Sequence, residues 1–137
     1  MDLKDTMLVS GAGMRAQGTR LKVIAENLAN ADSTAQTPGG EPYRRKVVTF
    51  RNALDRATGA DMVRINKVQT DNKDFELKFD PTHPAANAEG YVLRPNVNSI
   101  IEVADMREAQ RAYEANLNMI EVTKSMLTRT VGLLRNN

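Results

Sequence analysis

A mixed α+β fold with a long helix at each end follows from three observations. Apolar residues spaced three and four apart run through the last third of the chain, a weaker stripe of the same spacing runs through the first thirty residues, and short alternating runs fill the middle. The expected organisation is an N-terminal helix over 1–30, a loop and a small antiparallel β-rich segment over 31–96, and a C-terminal heptad helix over 97–137. The two helices are expected to pair as a coiled coil. Of the 137 residues, 41% are hydrophobic but only 4% are aromatic, with no Trp, so the core must come from Leu, Ile, Val, Met and Ala. Such a core suits helices.

The C-terminal helix carries the clearest signal. Alternate steps of three and four residues give Val103, Met106, Gln110, Tyr113, Leu117, Ile120, Lys124, Leu127, Val131 and Leu134, of which eight are apolar. Ala104, Ala109, Ala112 and Ala115 are strong helix formers that admit a close neighbour. Asn96 or Asn98, just after Pro95, supplies an N-cap. A helix from about Asn98 to Leu134 is roughly 55 Å long at 1.5 Å per residue. A compact globule of this chain length has a diameter of roughly 37 Å. Either the molecule is rod-like or the helix needs partners.

The N-terminal stripe comprises Leu3, Met7, Ser10, Met14, Gln17, Leu21, Ile24 and Leu28. Gly11, Gly13 and Gly18 each cost about 1 kcal/mol of helix propensity, so this helix depends on packing, and its small residues suggest close backbone approach. It is expected to end near Asn30, before the polar loop 31–42. Strands are expected over Tyr43–Phe50, Met62–Gln69, Asp74–Asp80 and Gly90–Arg94, joined in one sheet of three or four strands. Within Asp74–Asp80 the alternation places Phe75, Leu77 and Phe79 inward, so the middle segment is expected to hold a small aromatic core.

Much chemistry is excluded at this stage. There is no cysteine, and His83 is the only histidine, so disulfides, thiolate nucleophiles and paired-imidazole mechanisms have no residues. No apolar run approaches the ~18 residues of a membrane span, and acids near the N-terminus argue against a secretory signal. Lys plus Arg is 19 and Asp plus Glu is 17, giving 19 − 17 = +2, too small an excess to mark a nucleic-acid surface. Gly11-Ala12-Gly13-Met14-Arg15-Ala16 matches a loose dinucleotide fingerprint with Asp32 downstream, but it lacks the strand that must precede it. His83, between Pro81 and Pro84, reads as a turn residue without ligand-spaced partners. Arg44, Arg45 and Lys46 form the one dense basic cluster, which either binds an anionic partner or forms a solvated, salt-bridged rim. No catalytic, cofactor-binding or metal-binding residue set emerges, and the chain is not expected to be an enzyme. No cofactor, small-molecule substrate or nucleic acid is expected.

The stretches SGAGMRAQGTRLKVIAENLANADST at 10–34, GGEPYRRKVVTF at 39–50, DPTHPAANAEGYVLRPNVN at 80–98 and MREAQRAYEANLNMIEVTKSM at 106–126 resemble the bacterial flagellar axial proteins, the rod, hook and hook-associated family. Asn27-Leu28-Ala29-Asn30 resembles the element in which that family's first helix ends. The short chain is similar to the proximal-rod members; Gly132 and the tail Arg135-Asn136-Asn137 depart from the pattern. The resemblance implies a structural, motility-related subunit. It implies export by the flagellar type III apparatus without a cleavable signal, then polymerisation with its own copies and other rod proteins into the periplasmic drive shaft. The expected assembly interface is Leu3, Met7, Met14, Leu21, Ile24, Asn27, Leu28, Asn30, Tyr113, Leu117, Ile120, Leu127, Val131 and Leu134, with Arg44, Arg45 and Lys46 as an inter-subunit basic cluster. A non-flagellar helical scaffold or adaptor, and a weak nucleic-acid binder built on the basic cluster, are the alternatives.

Overall fold

The computed structural model describes residues 2–135, so Asn136 and Asn137 of the tail lie outside the described residues. Six elements follow in order: α1 (Leu3–Ala29), β1 (Lys46–Leu54), β2 (Asp61–Thr70), β3 (Glu76–Phe79), β4 (Tyr91–Arg94) and α2 (Ser99–Arg135). The α+β expectation holds. Asn98 is the N-cap of α2: its Oδ1 accepts from the backbone N–H groups of Ile100 and Ile101 at 3.1 and 3.3 Å. Asn96 is used elsewhere. Gly132 does not end α2, which continues through it to Arg135.

The strands form two separate two-stranded sheets, β1-β2 and β3-β4, not one sheet of three or four strands. The chain divides into two compact units. One takes α1 as far as Leu21, Thr49–Lys67, and α2 from Arg107; the other takes Lys22–Val48 and Val68–Met106.

In the first unit the helices pair antiparallel, since Gly18 meets Tyr113, Gly13 meets Asn116 and Arg20 Nη2 lies 3.2 Å from Glu108 Oε2. The seam is narrow. A Cβ on Gly13 would fall 2.8 Å from the Asn116 amide, so the glycine is what lets the helices close. Ser10, Ala12 and Ala16 of α1 and Ala109 and Thr123 of α2 are buried there, with Met62 from β2. The glycine-rich stretch lies inside α1 with no strand before it, which removes the dinucleotide reading. The β1-β2 hairpin closes through Asp55, whose Oδ1 accepts from the N–H groups of Ala57 and Thr58 at 3.0 and 3.2 Å.

In the second unit β3 and β4 pair antiparallel, with Leu77 opposite Leu93 and Phe79 opposite Tyr91. The rings of Phe79 and Tyr91 meet edge to face at 5.3 Å. The expected inward face of Asp74–Asp80 points outward: Leu77, Phe79, Tyr91 and Leu93 are exposed, and Val92 on the other face is buried. The middle segment therefore has no aromatic core. Phe75 is half-buried beneath the Arg44 guanidinium, 4.2 Å from its ring centre. His83 is a turn residue; its Nδ1 accepts from the Ala85 N–H at 3.0 Å, so its Nε2 carries the proton and donates to Thr34 Oγ1 at 3.1 Å.

Candidate assembly interface

Two features carry functional meaning: a buried polar node where α1 ends and α2 begins, and the apolar side chains the helices leave outside.

The node is built on Asn27, which is 1% exposed. Its Oδ1 accepts from the Tyr43 hydroxyl and from the Lys46 N–H, each at 2.9 Å. Its Nδ2 donates to the Lys46 carbonyl at 2.9 Å and to Glu102 Oε2 at 3.2 Å. All four hydrogen-bonding positions of the amide are filled. The orientation is fixed by chemistry, because the Lys46 N–H can face only the oxygen and the Lys46 carbonyl only the nitrogen. Asn27 thus ties the end of α1 to the first residue of β1 and to the first turn of α2.

Glu102 is fully buried and forms an ion pair with Arg45 Nε. Arg45 also reaches Asp71 at 3.4 Å and Asp105 at 3.7 Å. Burial works against the Arg45 charge. The hydrogen bonds and charges of Glu102 and then Asp71 outweigh it and hold the guanidinium above its ordinary value. Asn96 completes the node: its Oδ1 accepts from the Arg45 N–H at 2.7 Å, and its Nδ2 donates to the carbonyls of Asp71 and Lys73, each at 3.0 Å. Arg44 Nη1 donates to the same two carbonyls, and Lys46 pairs with Glu26. A hydrogen bond to Glu26 raises the Lys46 ammonium above its ordinary value, burial opposing it. Burial, reinforced by Glu26 and opposed by Lys46, raises the Tyr43 hydroxyl.

The basic cluster is therefore committed to acids and carbonyls of its own chain. Glu102 and Asp71 are the residues sequence reasoning missed. A signal for Glu102 existed, since it lies seven residues before Ala109, in phase with Asn116 and Thr123.

The helix stripes hold in part. On α1, Ser10 and Ile24 are buried, and Leu3, Met7, Met14, Gln17, Leu21 and Leu28 are half-buried. Gly13 and Asn27, one residue before Met14 and Leu28, are the positions fully enclosed. Asn30 is half-buried, its Nδ2 donating to the Glu26 carbonyl at 2.9 Å. On α2, Met106, Tyr113, Ile120 and Leu127 are half-buried as the heptad predicts, but Val103, Gln110, Leu117, Lys124 and Val131 are exposed. The alternate positions facing inward lie one residue earlier: Glu102, Ala109, Asn116 and Thr123. One residue turns a helix by about 100°. The narrow α1 surface around Gly13 accepts only short side chains opposite it, so the larger ones rotate outward. Leu134, in phase with the seam, is also exposed.

Among the described residues the buried hydrophobic set comprises seven side chains, three of them alanines, whereas eighteen large hydrophobic side chains are exposed. No group of three or more His, Asp or Glu residues among them is placed to hold a metal ion, and no helix is long and apolar enough to cross a membrane.

Terminal helices joined over a small-residue seam, a β insert, and large apolar side chains left on the outside define a subunit of an assembly. Residues 7–35 match the family described as "Flagella basal body rod protein". Residues 88–133 match "Flagellar basal body rod FlgEFG protein C-terminal". The chain is 48% identical to "Flagellar basal-body rod protein FlgC" of Agrobacterium fabrum, over 93% of this chain and 91% of the relative. It is 39% identical to that of Bacillus subtilis, over 91% and 93%, and 38% identical to that of Salmonella typhimurium, over 97% and 98%. The chain belongs to the FlgC family of flagellar basal-body rod proteins, whose members are structural subunits and not enzymes.

Proposed function

We propose that this chain is exported by the flagellar type III apparatus and polymerises, with copies of itself and other rod proteins, into the periplasmic part of the flagellar drive shaft. The observation that carries the reading is the outward placement of large apolar residues along α2. A free helix surface that presents Leu117, Val131 and Leu134 is suited to helices of neighbouring subunits. The proposed interface comprises these three with Leu3, Met7, Met14, Leu21, Leu28, Tyr113, Ile120 and Leu127 around the seam. Ile24, Asn27 and Asn30 act from beneath by fixing the end of α1. The zero cysteine count suits passage through a narrow channel into an oxidising compartment.

Deleting the gene is expected to abolish swimming and to leave basal bodies without a complete rod in electron micrographs, both restored by the full-length chain. Normal basal bodies in the deletion strain would overturn the reading. A non-flagellar scaffold role predicts that outcome.

A further inference from the structure

His83 joins two connections of the second unit, its own between β3 and β4 and, through Thr34, the one between α1 and β1. Both ring nitrogens are engaged: Nδ1 accepts from the Ala85 N–H at 3.0 Å, and Nε2–H donates to Thr34 Oγ1 at 3.1 Å. Two backbone bonds frame the turn. The His83 N–H donates to the Asp80 carbonyl at 3.2 Å, and the Ala86 N–H donates to the His83 carbonyl at 3.0 Å. The far end of the α1–β1 connection is tied without the histidine, since the Tyr43 N–H donates to the Ser33 carbonyl at 2.9 Å and Asn27 holds Tyr43 and Lys46.

Histidine is the one side chain that ordinarily changes charge between about pH 5 and 8, and His83 is the only histidine in a chain without cysteine. Residues 31–42 and 80–90 hold Asp32, Glu41, Asp80 and Glu89 and no Lys or Arg. Asp32 pairs with Arg94 on β4, and Glu41 lies 4.0 Å from Arg44. Asp80 accepts from the Thr82 hydroxyl at 2.9 Å, and Glu89 is exposed. Among the described residues the imidazole's partners are Thr34 and Ala85 alone.

A proton on Nδ1 removes the lone pair that accepts the Ala85 N–H and sets two hydrogens between nitrogens 3.0 Å apart. The ring must turn away, and Nε2 turns with it. We propose that His83 is an acid-sensitive latch. As a neutral imidazole it closes its own turn and clamps the α1–β1 connection to it; as an imidazolium it releases the Ala85 N–H and lets the two loops part. The loop ends stay tied at Tyr43 and Asn27, so the change is a local opening. The latch does not depend on the assembly reading above.

Solution NMR of the full-length chain, labelled with 15N and 13C, tests it. At about pH 7.5 a 15N–15N coupling is expected across the Ala85 N–H···Nδ1 bond, with a nuclear Overhauser contact between the His83 ring and the Thr34 methyl group. At about pH 5, with the ring protonated, that contact is expected to vanish and the Ala85 amide protection factor to fall about tenfold, the worth of one such bond. Protection at the Tyr43 amide should not change. In His83→Asn the amide oxygen takes the place of Nδ1, so Ala85 should stay protected at both pH values. His83→Gln, whose amide reaches Thr34 and not Ala85, should leave it unprotected at both. A ring-to-Thr34 contact that survives protonation, Ala85 protection that does not fall, equal loss at Tyr43, or a pH dependence that persists in His83→Asn would each overturn the latch and leave the rod reading standing.

Discussion

Single residues decide how the two helix ends are held. Replacing Asn27 with Ala leaves the Lys46 N–H and carbonyl, the Tyr43 hydroxyl and a Glu102 oxygen short of a partner. A fully buried group stranded costs about 1–3 kcal/mol. Glu102 is fully buried, whereas Tyr43 and Lys46 are half-buried and can turn to water, so Asn27→Ala is expected to lower stability by ~3 kcal/mol, read by urea denaturation of the purified chain. Arg45→Ala is expected to cost about as much or more, ~3–5 kcal/mol, because it leaves the Glu102 carboxylate uncompensated. Arg45→Met/Glu102→Leu should recover most of that loss, since it removes both charges together. The node also sets an alkaline limit. Tyr43 and Lys46 have folded-state pKa values raised above the ordinary 10.0 and 10.5. Below pH 10 both groups are protonated, folded or not, and their contribution is complete. Above that the unfolded chain releases its protons first, so stability falls as pH rises through the folded values. Denaturation midpoints are expected to be flat from about pH 7 to 9.5 and to decline above 10, less steeply in Tyr43→Phe.

At the scale of elements, the glycines of α1 separate into two kinds. A Cβ on Gly11 meets nothing within 4 Å, whereas one on Gly13 meets the Asn116 amide. Gly11→Ala is expected to stabilise the chain by up to ~1 kcal/mol, the propensity difference in a helix interior. Gly13→Ala must displace an amide that donates to the Ala112 carbonyl at 2.9 Å, so it should gain nothing or lose. Gly13→Ala/Asn116→Ala should then recover the propensity gain, a coupling that thermal denaturation of the four variants would measure. This seam explains what the sequence made legible. Both helices, four strands and the Asn98 cap were readable because periodicity and capping chemistry are local. Half the α2 register was not, because the apolar pattern marks the largest stripe, and here the polar or small residues Glu102, Ala109, Asn116 and Thr123 are the ones facing inward. In the same way, alternation in Asp74–Asp80 showed which residues share a side and could not show that this side lies bare. The pairing within the basic cluster was hidden for another reason. Its partners Asp71 and Glu102 are 26 and 57 residues away from Arg45, beyond any local pattern.

For the whole molecule, the informative comparison is between what a substitution does to the single chain and what it does to the assembly. Ile120 is half-buried at the seam, while Val131 is 62% exposed on the same helix. A carboxylate at Ile120 removes a large apolar contact, about 2–5 kcal/mol for such truncations, and meets a desolvation penalty in addition. A carboxylate at Val131 touches water, so the isolated chain should change by no more than about 0.5 kcal/mol. Ile120→Asp is therefore expected to lower the melting temperature of the purified chain and to abolish swimming. Val131→Asp is expected to melt like the unsubstituted chain and still fail to complete a rod. Glu121→Gln, exposed and outside both sets, should melt and swim normally. Export is expected to survive in all three, because threading an unfolded chain does not test its folded contacts, and each protein should be detectable outside the cytoplasm. Val131→Asp is the deciding variant. Only a surface that another subunit covers can make a change that is silent in the free chain fatal to the assembled rod, and normal swimming with that substitution would remove the outward face of α2 from the interface.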